Sequence, residues 1–142
     1  MKAIRIDHFG GPDVMEVREV QKPKPAADEV LVKAMAVGVN PVDYKIREGE
    51  YPEVQQDKLP ITMGREVAGI VEEVGAQVAG FRPGDAVFAM IGADGGYAEY
   101  VRVPAHHLAR VPVGMDWKQA AGVPLACAPS QALVGTNRTP AQ

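Results

Sequence analysis

Side chains able to do chemistry are few in this 142-residue chain, and most fall in two stretches. "NPVDYKIREGEY" places Asn40, Asp43, Tyr44 and Tyr51 within twelve positions, an amide, a carboxylate and two phenols. "MGREVAGIVEEVG" sets Arg65 between Gly64 and Glu66 at the head of an otherwise apolar run. A guanidinium there must reach water or answer an acceptor, because it stays protonated and carries five donors. Elsewhere there is no Cys/His or Ser/His/Asp constellation. His106 and His107 are adjacent, so on a strand they point to opposite faces and make no metal pair. A single cysteine, Cys127, excludes an intrachain disulfide and any cysteine-rich zinc site.

The elements that must hold these groups read as β. Fifteen glycines and twelve prolines punctuate short alternating apolar runs, and the 46% apolar content is enough for one core. Lys2–Ile6 and Val14–Val20 form a hairpin turning on Gly10-Gly11-Pro12. Glu29–Asn40 is the longest strand. Pro41 opens a helical turn that Gly49 stops. Met63–Gly75 is apolar on both parities until its two glutamates, as in a strand sandwiched between layers. Further strands start at Ala86 and run from Tyr97 to Val103, after turns at Pro83-Gly84-Asp85 and Asp94-Gly95-Gly96. Asp116 and Gln119 have capping-box spacing for a short helix. Six or seven strands with turns between them imply a barrel or sandwich, mainly β with short peripheral helices.

Charge and hydropathy exclude other classes. The net charge is 15 − 18 = −3 with scattered positive residues, so nucleic acid and acidic membrane surfaces are poor partners. There is no signal-length or membrane-length apolar run, and a cytoplasmic location is the expectation.

Five fragments in order, "GVNPVDYKIREGEYP", "LPITMGREVAGIVEEVG", "FRPGDAVFA", "GGYAEYV" and "AAGVPLA", resemble the medium-chain dehydrogenase/reductase superfamily, and most of all its zinc-independent quinone oxidoreductase branch. The resemblance implies a GroES-like β-barrel over residues 1–127, the substrate domain of an NADPH-dependent oxidoreductase acting on a quinone, enal or related carbonyl. In zinc-dependent relatives the Gly64–Glu66 motif carries a histidine ligand, and a cysteine ligand stands where this chain has Asn40. Arg65 cannot ligate and Asn40 is a poor substitute for thiolate, so no zinc is expected. The resemblance puts Asn40 and Tyr51 at the catalytic cleft, as donors to a substrate oxygen, with Asp43, Tyr44 and Arg65 lining it. Asn40 and Pro124 fall on the cofactor side. Asn40 as a simple turn residue, and Tyr44 and Tyr51 as packing aromatics, are the rival readings. For Arg65 two readings stand open: a rim arginine paired with Glu66 or Asp43, or a cleft residue steadying a substrate oxygen or cofactor phosphate.

The resemblance ends near Cys127. Residues 128–142 read as a truncated or divergent segment, with Pro129 near a position that faces the nicotinamide in relatives. No strand followed by G-x-G-x-x-G occurs, so the Rossmann domain is absent from this chain and the chain alone is expected to be inactive. The alternative is a non-catalytic GroES-like module that oligomerises, or binds a partner, through the face a Rossmann domain would cover.

Overall fold

A computed structural model describes residues 1–92 and 95–127. The segment 128–142, and Asp94 of the expected turn, lie outside the described residues. Among the described residues, eight antiparallel strands form two sheets. β1 (Lys2–Ile6), β2 (Glu16–Glu19) and β4 (Ile61–Thr62) make a three-stranded sheet with β1 central. β3 (Glu29–Val37), β5 (Glu66–Val74), β6 (Ala86–Met90), β7 (Tyr100–Pro104) and β8 (Leu108–Arg110) make the second, in the order β7-β3-β5-β6-β8. The segment Tyr97–Glu99 stitches the two together. Tyr97 O accepts from Ile4 N, Glu99 N donates to Lys2 O, and Ala34 N donates to Glu99 O. The result is a mainly β, curled half-barrel.

The central pair is β3 and β5. Val67 and Val71 face a core with Val30, Val32, Val87, Val101 and Val103. On the opposite face, Ala68 packs against Ala120 and Ala121 of helix α2 (Trp117–Ala121). Burial on both sides explains the near-continuous apolar run. Gly69 is required where β3 bulges between Ala34 and Ala36, because a Cβ there would run into Lys33 O.

Several bounds differ from those read in the sequence. The hairpin forms, but a 3-10 turn at Pro12–Val14 delays its second strand to Glu16. β3 stops at Val37 because Gly38 and Asn40 lead into a full helix, α1 (Pro41–Arg47), whose end is marked by Gly49 at φ +79°. β7 begins at Tyr100 rather than Tyr97, since Tyr97–Glu99 bonds to β1 instead of lying wholly in the larger sheet. β4 and β8 are short strands that no alternating run announces. α2 has the expected capping box: Asp116 Oδ1 accepts from Gln119 N (2.8 Å) and Gln119 Oε1 from Asp116 N (3.1 Å).

Candidate functional site

The corner between β3 and α1 is built on two buried carboxylates. Asp43, 4% exposed, sits at the third position of α1 and accepts from Asn40 N–H at 2.7 Å, closing the helix entrance. The same oxygen accepts from Tyr97 O–H at 2.9 Å. Burial, and then the Asp43 carboxylate itself, hold the phenol proton of Tyr97 on well above the usual tyrosine range. Glu66, 1% exposed at the start of β5, accepts from Asn40 Nδ2 at 2.7 Å and from Leu125 N at 2.8 Å. Among the described residues neither carboxylate has a cationic partner. Both draw on neutral donors in a dry setting, where such bonds are strong; the two on Asp43 share Oδ2, and Oδ1 is buried with no donor among the described residues.

Arg65 answers something other than either carboxylate. Its Nη1 donates to Tyr51 Oη at 2.9 Å, and its guanidinium carbon stands 5.2 Å from the centre of the Tyr51 ring. The first of the two open readings, a pairing with Glu66 or Asp43, does not form. Arg65 and Glu66 are neighbours at a strand start, so their side chains diverge, and both Glu66 oxygens are already taken by Asn40 and Leu125. Gly64, at φ +93°, makes the turn that aims Arg65 outward from β5, and a Cβ there would strike the Tyr97 ring.

The residues singled out from the sequence therefore fall into three places. Asn40, Asp43 and Tyr44 line a cavity of about 470 Å³ walled by Ile4, Met15, Val39 and Met63, with Tyr97 beside them. Tyr51 and Arg65 form a separate pair, the Tyr51 ring packed against the Ile6, Ile46 and Met63 cluster. Pro124 lines another cavity, of about 430 Å³, with Phe88, His106, His107 and Cys127. His106 and His107 are not on opposite faces of a strand. They lie in a 3-10 turn with ring centroids 4.3 Å apart, edge to face. Among the described residues no three His, Cys, Asp or Glu side chains gather as a metal site.

Sequence reasoning missed Tyr97, Glu66 and Gly38. The N-x-x-D spacing of Asn40 and Asp43 was a readable capping signal. Tyr97 carried no signal, because its partner Asp43 lies 54 positions away. Gly38 is explained by Glu66: a Cβ at Gly38 would collide with Glu66 Oε1 and lie 2.8 Å from Ala121 O.

Comparison with known proteins gives the arrangement its setting. Residues 26–113 match the alcohol dehydrogenase GroES-like domain. The chain is 43% identical over 124 residues to a quinone oxidoreductase of Lama guanicoe, and 41% identical to one of Homo sapiens, each match covering 87% of this chain and 37% of the relative. It thus spans little more than a third of those proteins. Among solved structures, the quinone oxidoreductase from Coxiella burnetii superposes with a TM-score of 0.89 at 32% identity, covering 95% of this chain and 44% of that one. The Escherichia coli quinone oxidoreductase complexed with NADPH gives 0.80 at 35% identity, covering 85% and 36%. By the span of the domain match and the shared barrel, the chain belongs to the alcohol dehydrogenase GroES-like domain family of the medium-chain dehydrogenase/reductase superfamily.

Proposed function

We propose that this chain is the substrate domain of a zinc-independent, NADPH-dependent oxidoreductase that reduces a quinone or a related conjugated carbonyl. The observation that carries the reading is the cavity beside Asn40. Its walls are largely apolar and of a size for one flat ring system, with Asn40, Asp43, Arg47 and the two phenols of Tyr44 and Tyr97 as its polar groups. The similarity to quinone oxidoreductases supports the same substrate class.

The residues present fit only the nicotinamide end of the cofactor. Asn40 spends one N–H on Glu66, its carbonyl oxygen faces the Asp43 N–H in the capping box of α1, and its second N–H is left for a ligand. A pyrophosphate finds no open helix N-terminus among the described residues, since Asp43 closes that of α1 and Asp116 that of α2. When bound, NADPH supplies the hydride. Asn40 then holds the carbonyl oxygen, and the apolar walls keep water out. Tyr51 accepts from Arg65, so its own proton points elsewhere, as a donor's must. Zinc has no part in this reading, because Arg65 cannot ligate and the Asn40 amide nitrogen already donates to Glu66.

Titration with a fully substituted quinone, which cannot add the exposed Cys127 thiol, tests the cavity. Amide shifts should centre on Asn40, Tyr44 and Tyr97, and Asn40→Ala should weaken them. Shifts centred elsewhere, or none, would overturn the assignment.

A second reading, a non-catalytic module that self-associates, draws on the exposed apolar strip of Val17, Met35, Val37 and Val39. Sedimentation separates the two. A stable oligomer that takes no quinone favours the module, and a quinone-binding monomer favours the substrate domain.

A further inference from the structure

The structure assigns Glu66 as the positioning residue of this site: its carboxylate sets the direction of the Asn40 amide and ties it to the backbone at Leu125. The inference rests on the reading that Asn40 meets the substrate oxygen, and it adds what makes that amide ready. Three observations converge on Glu66. It is 1% exposed, and Asn40 Nδ2 and Leu125 N donate to its two different oxygens at 2.7 and 2.8 Å. The backbone leaves it room only because residue 38 lacks a Cβ.

The chemistry follows from the donor inventory. An asparagine amide can turn by half a rotation and exchange its oxygen for its nitrogen at little cost in shape. A carboxylate accepts only, so it selects the orientation with nitrogen toward Glu66, which leaves the amide oxygen to the Asp43 N–H of the capping box and the second N–H to the substrate. The other Glu66 oxygen holds Leu125, the residue after Pro124, where the chain leaves α2. One carboxylate thus couples the substrate-side corner at Asn40 to the Pro124 side, although the two line different cavities. A tether that accepts from both sides tolerates neither an amide nor a shorter acid without losing one contact.

The test uses the isotopically labelled chain and needs no turnover. In the native chain, one Asn40 side-chain amide proton and the Leu125 backbone amide should both exchange slowly. Glu66→Gln keeps the volume but places an amide donor against one of the two existing donors. One of the two protected protons should then exchange faster by about tenfold or more, the scale of a lost charge-assisted hydrogen bond. Gly38→Ala reaches the same point without changing Glu66, and should release the Asn40 proton by displacing the carboxylate. Because the native measurement stands alone, a variant that fails to fold does not rescue the idea: unprotected Asn40 and Leu125 protons in the native chain overturn it. So does a folded Glu66→Gln chain in which both stay protected. If the tether is found but the quinone perturbs nothing near Asn40, the positioning stands and the substrate reading falls.

Discussion

At the scale of single residues, the chemistry rests on neutral donors serving buried acids. Tyr97 shows how this reaches stability. Its phenol pKa is raised in the folded chain by burial and by Asp43, so the folded state holds a proton that the unfolded chain releases near pH 10. The stabilisation is complete below that pH and is lost as pH rises through the alkaline range. Denaturant midpoints should fall above about pH 10 in the native chain and change less in Tyr97→Phe. Near neutrality that variant should cost about 1–3 kcal/mol, since it removes one donor from a buried carboxylate. Equal alkaline sensitivity in both chains would count against the Tyr97–Asp43 bond. For turnover, Asn40→Ala and Tyr51→Phe belong in a protein that also carries the cofactor-binding portion. Each should lower kcat by roughly 10²–10³ if its donor acts in the transition state. Parental kcat in both would remove them from the chemistry.

At the scale of elements, the site depends on how closely backbones can approach. β3 and β5 meet at Gly69, where Lys33 O leaves no space for a side chain. Gly69→Ala should therefore cost about 3 kcal/mol, the upper end for overpacking, because the obstruction is backbone and cannot rotate away. A midpoint shift below a third of that would mean that the bulge relaxes. α2 tests the opposite kind of element, one held by its cap. Asp116→Ala removes the bond to Gln119 N and should cost about 1 kcal/mol, with amide exchange increased over Trp117–Ala121 and, downstream, at Leu125. α2 also lies on β5 through Ala120, Ala121 and Ala68, so fraying there should loosen the Leu125 contact to Glu66.

At the scale of the whole molecule, the strands bond to one another and Tyr97–Glu99 joins the sheets, so the core closes within the chain. Circular dichroism should show one cooperative, β-rich unfolding transition. Cofactor affinity is a separate matter. Contacts at the nicotinamide end alone cannot offset the ordering of a flexible dinucleotide, so NADPH should bind no tighter than about millimolar, roughly 4 kcal/mol. A fluorescence titration that saturates at micromolar NADPH would show a phosphate site that these residues do not account for. No helix among the described residues is long and apolar enough to cross a membrane.

What the sequence determined by itself was periodicity and local chemistry. Alternation marked β1, β3 and β6, and a run apolar on both parities marked β5, because the core selects one or both faces of a strand. The Asp116 and Gln119 spacing marked α2, because a cap is satisfied within four residues. Set beside the zinc-dependent relatives that the sequence resembles, Asn40 and Arg65 argued against zinc, because neither offers a thiolate or an imidazole. Tertiary structure decided which groups meet. β4 and β8 are too short to show a period, and they exist because β1 and β6 offer them edges. Arg65 turned to Tyr51, 14 positions away, and Glu66 to Asn40 and Leu125, 26 and 59 positions away. A sequence records which donors and acceptors are available. Their pairing is fixed only when packing removes water and leaves each buried oxygen to the donor that the fold has brought within reach.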